Sequence, residues 1–237
     1  MENSQLILQL QQKVDDYHLR PQTIQLVQQT PIVLLVGVTG AGKDTIKQAL
    51  LKDHDYHHIV SHTTRQPREN KGVMEHDGIE YHFIDVPTAS TMLDNHGFIE
   101  AKMYSGNVYG TSVGEIQLAH DEGKIAITDI EVQGVEEFHA ISPSMRPVFI
   151  LPPSFEVWQQ RLLSRYEGKP DPEDLERRLQ TAKLEIEFVL ATDYFYVVVN
   201  DDLQTAISQV DSIARGTDVP RRSAHAENIM RDILAHL

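Results

Sequence analysis

Residues 37–45 read Gly-Val-Thr-Gly-Ala-Gly-Lys-Asp-Thr, so Gly37, Gly42 and Lys43 have the spacing G-x-x-x-x-G-K. The apolar, β-branched run Ile32 to Val36 before them reads as a buried strand, and Thr45 to Lys52 after them reads as a helix. A loop of this kind turns backbone N–H groups toward phosphate oxygens at the positive end of a helix, and its lysine completes the cradle. Only glycine lets the backbone turn and approach a ligand that closely. The spacing therefore predicts that Gly37, Val38, Thr39, Gly40, Ala41, Gly42, Lys43, Asp44 and Thr45 hold the phosphates of a nucleotide. Ser or Thr usually follows the lysine and supplies a hydroxyl to Mg²⁺. Here Asp44 takes that place and Thr45 comes one position later. Three readings stay open: Asp44 binds the metal itself or through water, Thr45 takes over the hydroxyl role, or Asp44 is simply favoured by the helix N-terminus.

The chain that must position this loop has 237 residues, 41% of them hydrophobic. Its mean hydropathy is −0.33. That is enough chain to bury a substantial core as one domain with appended ends. The apolar runs are far too short to span a bilayer and no leader-like segment opens the chain, so a cytoplasmic protein without membrane attachment is expected. With no cysteine, disulfide frameworks and thiolate metal sites are excluded, which suits a reducing compartment. A formal net charge of −14 argues against nucleic acid as a partner. Against that acidity Arg65, Arg68, Arg161, Arg165, Arg177 and Arg178 stand out.

Beyond the first strand and helix, apolar strands and helices alternate as in a phosphate-loop α/β fold with a parallel sheet. A polar stretch covers 62–78; Ile79 to Ile84 and Phe98 to Met103 read as strands, Ala89 to Asn95 and Val113 to Glu122 as helices. Lys124 to Ile130 is a strand ending in acids, and Val148 to Leu151 is a buried strand. A helix from Phe155 to Arg165, a Gly/Pro-bearing loop from Tyr166 to Pro172, a helix from Glu173 to Thr192 and a strand from Tyr196 to Val199 complete the middle. His54, His57 and His58 are expected on a solvated loop, since imidazole is not a favoured Mg²⁺ ligand. At the ends, Leu6, Leu10, Val14 and Tyr17 form a helical stripe that breaks at Arg20-Pro21, and Ile229, Ile233, Leu234 and Leu237 form another. Such stripes pack against a core or in a homodimer, with recruitment of a dedicated partner as the alternative.

Over residues 31 to about 215 the chain resembles guanylate kinases. The resemblance rests on an ordered series: the loop at 37–45, Ser61-His-Thr-Thr-Arg-Gln-Pro-Arg68, Tyr81-His-Phe83, Phe98-Ile-Glu100 and Ser105-Gly-Asn-Val-Tyr-Gly-Thr111. It continues through Asp129-Ile-Glu-Val-Gln-Gly134, Pro152-Pro-Ser154, Arg161, Arg165, Arg178 and Val199-Asn-Asp-Asp-Leu203. The resemblance implies a phosphate-loop kinase core, a small mixed GMP-binding segment at about 61–113 and a helical lid at about 152–180, flanked by helical extensions at 1–30 and 216–237. It also implies that Arg65, Arg68, Tyr81 and Tyr109 hold the GMP phosphate, through bidentate guanidinium forks and phenolic hydroxyls. Glu100, with Ser61 and Thr111, would read guanine: a carboxylate accepts from N1–H and the amino group together, which adenine cannot match. Glu131 stands where the family usually has Asp near the nucleoside, and projects from the same face as Asp129 if the strand continues. Asp129 ends a strand in the crevice where α/β sheets bind ligands, and would support Mg²⁺ or the phosphates.

Arg161, Arg165 and Arg178 match the lid arginines that stabilise the transferring phosphoryl group, with Arg161 and Arg165 able to converge from one helix. Arg177 would point elsewhere, and Asn200 would contact adenine. The loop from Arg68 to Tyr81 is longer than usual and adds Met74, Glu75 and His76, and the lid start departs from the family pattern. The implied reaction is Mg²⁺-dependent transfer of phosphate from ATP to GMP, by a monomer or a homodimer. The alternatives are another small phosphate-loop kinase, such as a ribose-bisphosphate kinase, and a non-catalytic guanylate-kinase-like binding module.

Overall fold

In the computed structural model, residues 2–70, 72–164, 166 and 171–237 are described. Helices α1 (Glu2–Asp15) and α2 (Pro21–Gln29) lead into β1 (Ile32–Val36), α3 (Lys43–Leu50), β2 (Tyr56–His58) and β3 (His62–Thr63). The small strands β4 (Glu69–Asn70), β5 (Val73–Met74) and β6 (His82–Phe83) come next, then α4 (Val86–Asp94), β7 (Phe98–Tyr104), β8 (Asn107–Ser112) and α5 (Val113–Asp121). The remainder is β9 (Ile125–Asp129), α6 (Val132–Ile141), β10 (Arg146–Leu151), α7 (Phe155–Ser164), α8 (Pro172–Ala191), β11 (Tyr196–Val199), α9 (Leu203–Ala214) and α10 (Ala224–Ala235). Contacts divide the chain into two compact units: the residues up to Thr30 with His57–Ala126, and Pro31–Tyr56 with Ile127–Leu237.

The first unit is built on a mixed sheet in the order β6-β3-β8-β7. Strand β3 runs parallel to β6 and antiparallel to β8. A two-residue turn joins β7 to β8; its residues Ser105 and Gly106 have φ of 48° and 76°, the pair of positive values that a type I′ hairpin requires. The β7–β8 register slips between Phe98 and Glu100, which sets Glu100 opposite Thr111. Such a bulge re-aims a side chain. Apolar Leu10, Val14 and Tyr17 of the first helical segment pack with Ala89, Leu93, Phe98 and Val108. The Tyr17 hydroxyl donates to the Phe98 carbonyl and accepts from the Phe98 amide at 3.0 Å. Lys13 adds an ion pair of 2.5 Å with Asp94. Of the expected N-terminal stripe, Leu10, Val14 and Tyr17 are thus used within their own unit, while Leu6 is 41% exposed. Pro21 ends no helix there but starts α2, as its fixed φ and missing N–H allow.

The second unit holds β1, β10 and β11, which run parallel in a sheet whose order is β11-β10-β1-β9-β2. Every residue of β1 is buried, as the continuous apolar run predicts. Strands β10 and β11 align in parallel register, Val148 beside Tyr196 and Leu151 beside Val199.

Several expectations change. Ile79 to Ile84 is strand only at His82–Phe83; Gly78 turns the chain at φ 76° and Ile79 is 58% exposed, so the alternation has no core to face. His57 and His58 lie on β2 rather than on a loop. His57 approaches the buried Glu115 at 3.3 Å, and His82 meets the other oxygen at 3.2 Å.

The Tyr17 hydroxyl serves two backbone groups at once, so Tyr17→Phe leaves both without their partner. We expect it to lower unfolding free energy by about 1–3 kcal/mol, read as a shifted denaturant midpoint at unchanged slope. An unshifted midpoint would mean that apolar packing alone docks α1.

Candidate active site

In the second unit the chain leaves β1 at Val36 and enters α3 at Lys43, so residues 37–42 form the loop. Two glycines there have no substitute. A Cβ on Gly37, at φ 139°, would lie 2.3 Å from the Ile150 carbonyl oxygen, and one on Gly42, at φ 100°, would lie 2.3 Å from the Asn200 amide. Three alternate carbonyls of the loop are tied back by side chains. Lys43 Nζ donates to Gly37 O. The Trp158 indole N–H donates to Thr39 O at 2.9 Å, and Asn200 Nδ2 donates to Ala41 O at 2.7 Å.

The loop opens onto a cavity of about 480 Å³ lined by Thr39, Gly40, Gly42, Lys43, Asp44, Thr45, Asp129, Arg161, Asn200 and others. The expected phosphate-site residues of this unit are therefore brought together. Arg161 donates twice to the Asn200 carbonyl, at 3.2 Å each, and Asn200 itself is buried beneath the loop. Asp44 sits in the first turn of α3 and on the cavity wall, so both of its readings have a geometric basis.

Asp129 ends β9 and forms an ion pair with Lys47, one turn along α3 from Lys43. Burial pushes the Asp129 carboxyl up, but the charge and hydrogen bond of Lys47, with the charge of Lys43, outweigh it and hold the carboxyl below its usual range. Lys47 is a site residue that sequence reading missed, although its i+4 spacing from Lys43 was a signal. Glu185 of α8 is also a buried carboxyl, pushed up chiefly by burial and by the charge of Glu131 against that of Lys43.

Glu131 lies two residues beyond the end of β9. Strand β9 stops at Asp129, Ile130 N donates to Leu35 O, and Glu131 is the N-cap of α6 with φ −77° and ψ 158°. Glu131 still has extended backbone and the helix begins at Val132, so its place is set by the start of α6 rather than by the pairing of β9. Arg178 is engaged on its own helix: its Nε donates to Asp174 at 2.7 Å, an i,i+4 pair. Hydrogen bonds from Tyr166 and Arg178 hold the Asp174 carboxyl well below the usual carboxylate range. Arg177 is largely exposed, as expected. Arg165 lies outside the described residues, as do residues 167–170 of the expected lid.

The first unit gathers the other set. Arg65 follows β3 and is buried, with its guanidinium 5.3 Å from the Tyr81 ring. The Tyr81 and Tyr109 rings meet edge to face at 5.8 Å. Arg65 donates to both oxygens of Glu75, at 2.7 and 3.0 Å, and Glu75 also accepts from the Arg68 amide at 2.8 Å. These hydrogen bonds hold the Glu75 carboxyl below its ordinary value. The extra loop residues thus include the carboxylate that orients Arg65. On β7, Glu100 accepts from the Thr111 amide at 2.9 Å across the bulge. Ser61 is half-buried at the entrance to β3, and Arg68 is exposed.

A strand–loop–helix with Lys43, an acid at the next strand end and helix-borne arginines define a phosphate-loop kinase. The family model for guanylate kinase matches residues 28–216. A guanylate kinase of Thermus thermophilus is 35% identical over 192 residues, which cover 81% of this chain and 83% of that one. That of Schizosaccharomyces pombe is 38% identical over 184 residues, covering 76% of this chain and 88% of the relative. Among solved structures, guanylate kinase from Anaplasma phagocytophilum superposes with a TM-score of 0.57 at 25% identity, covering 88% of this chain and 95% of that one. The chain belongs to the guanylate kinase family.

The Lys47–Asp129 pair carries a pH signature. A depressed carboxyl stabilises the fold above its unfolded pKa, and that contribution is lost as pH falls through the lower folded value. In Lys47→Met burial would be opposed only by the charge of Lys43 and the backbone, so the variant is penalised while the carboxyl is charged and relieved once it is protonated. The stability gap between the two proteins should be wide near pH 7 and narrow below about pH 4. Urea unfolding at both pH values measures it; a gap independent of pH would remove Asp129 as the cause.

Proposed function

We propose that this protein transfers the γ-phosphoryl group of ATP to GMP, giving ADP and GDP. The observation that carries the reading is that one chain holds two complementary sets of residues. The second unit has a phosphate-loop cavity with Lys43 on its wall; the first has an arginine–tyrosine cluster and a carboxylate, Glu100, backed by Thr111. The relatives support it, since each of those described above is named a guanylate kinase. A ribose-bisphosphate kinase would have no use for Glu100 beside two tyrosines and a buried arginine. A non-catalytic module would have no use for Lys43 and Arg161 on one cavity.

ATP binds with its phosphates on residues 37–45, where loop N–H groups, the α3 N-terminus and Lys43 offset their charge. Asn200 and Arg161 fix the back of that cavity. Arg65, Arg68, Tyr81 and Tyr109 take the GMP phosphate, and Glu75 orients the Arg65 fork. Glu100 reads guanine through N1–H and the amino group, with Ser61 and Thr111 beside it; adenine would leave that acid unpaired. Phosphoryl transfer needs no covalent step on the protein, so its catalysis is positioning and charge stabilisation by Lys43, Arg161, Arg165 and Arg178. Arg178 is held from α8 by its Nε bond to Asp174, which leaves its terminal nitrogens for the substrate.

Mg²⁺ fits this donor set. Asp44, Thr45 and Asp129 present hard oxygens on one cavity wall, and the described residues hold no cluster of three acids or imidazoles that would bind a resident ion. The ion would be held by those oxygens together with the nucleotide's own phosphates, where it neutralises developing charge and orients the phosphoryl group. Among the described residues no helix is long and apolar enough to cross a membrane. ATP and GMP as substrates, with a chain free of cysteine, agree with a cytoplasmic enzyme.

The direct test is ADP release with ATP, Mg²⁺ and each nucleoside monophosphate in turn. GMP should turn over alone, and silence with every monophosphate would reject the kinase reading. Lys43→Ala should lower kcat by at least about a hundredfold with an unchanged circular dichroism spectrum. Glu100→Gln should raise KM for GMP about tenfold or more and leave KM for ATP near its starting value. Equal changes for both substrates would remove Glu100 from base reading.

A further inference from the structure

Residues beyond 216 lie outside the span matched by the family model, yet they are built into the second unit. The connection to the last helix is pinned at several points. Arg221 O accepts from the Val197 amide of β11 at 2.7 Å, and its guanidinium donates to Tyr194 O at 2.5 Å and lies over the Tyr196 ring at 5.1 Å. Arg222 donates to Thr192 O, just past the end of α8. Ser223 then caps α10 by accepting from Ala226 N at 3.1 Å. Helix α10 buries Ala226, Ile229, Met230 and Ile233 and packs against α7, α8 and β11. This stripe therefore has a job inside its own unit.

What it holds is the root of α7. His236, at the end of α10, stacks on Phe155 with ring centres 4.5 Å apart and planes 13° from parallel. Phe155, the first residue of α7, meets Trp158 edge to face at 6.1 Å. Trp158 is 1% exposed, and its indole N–H is the donor that ties back the Thr39 carbonyl. Thr39 lines the phosphate cavity. An unbroken line of ring contacts and one hydrogen bond thus runs from the C-terminal helix to the phosphate loop. A loop with Gly37, Gly40 and Gly42 all at positive φ has little stiffness of its own, so its shape depends on such outside anchors.

We propose that α10 is a positioning element for ATP: the His236–Phe155–Trp158 stack aims the indole N–H at Thr39 and so holds the phosphate loop in its binding shape. The inference rests on ATP occupying the phosphate-loop cavity. His236 and Trp158 touch no reacting atom; they act through the loop. Loss of the stack relaxes the aim of the indole N–H at Thr39, which loosens the loop and weakens ATP without touching the residues that take GMP.

The experiment is steady-state kinetics of the full chain carrying His236→Ala, Trp158→Phe, or both. Each single change should raise KM for ATP roughly three- to tenfold while KM for GMP stays within about twofold. The double variant should be no worse than the poorer single, because both changes break one line of contacts. His236→Phe, which keeps a stacking ring, should restore KM for ATP and stands in should Trp158→Phe fail to fold. Multiplicative effects in the double variant, or failure of His236→Phe to rescue, would overturn the proposal. So would a lower melting temperature and lower kcat at unchanged KM for ATP, the signature of a merely structural helix. Lys43→Ala serves as the control for the premise. If it binds a non-hydrolysable ATP analogue as well as the starting protein does, the assignment of ATP to the cavity fails, and the proposal falls with it.

Discussion

The phosphate loop keeps its shape because its outward carbonyls are satisfied by side chains from other elements. Gly37, Thr39 and Ala41 each accept a hydrogen bond, from Lys43, Trp158 and Asn200 in turn. Backbone carbonyls buried without partners cost about 1–3 kcal/mol each, and a glycine-rich loop has no regular structure to pair them. The three donors therefore decide which way each peptide faces. Two of them come from far along the sequence, at the first turn of α7 and the end of β11. The strands and helices of the second unit serve largely to bring those donors to the loop.

Charge is handled by the same logic. Each unit carries acids among its candidate phosphate-binding residues, and three of them are held by cations. Asp129 is paired with Lys47, Asp174 with Arg178 and Arg177, and Glu75 with Arg65. These partners preset the cations that a phosphate would otherwise have to order, and an already oriented fork loses less freedom on binding. The i,i+4 bond from Arg178 to Asp174 keeps that guanidinium on its own helix.

Much of this was legible in the chain. The buried β1 run, the loop glycines and Lys43 follow from local rules, and the structure has strand, loop and helix where they predict. Strand β8 was harder, because Gly-Asn-Val-Tyr-Gly-Thr reads as turn chemistry; it forms because β3 and β7 pair with both of its edges. Helices α6 and α9 were hidden behind motif residues at their starts. The end of β9 was not legible because a strand's end depends on its neighbours: Ile130 still pairs with Leu35, and one residue later the chain is capping a helix.

By itself the sequence determined the kind of ligand and the kind of fold. Glycine spacing, a lysine after it and apolar runs of strand length act over a few residues, and no distant contact can reassign them. Only the tertiary structure decided which cation neutralises Asp129, which carboxylate orients Arg65 and which carbonyls Trp158 and Asn200 satisfy. Those choices depend on side chains from separate segments arriving within about 3 Å of one another. A register slip in β7 or the end of β9 alters them without changing a letter of the motif.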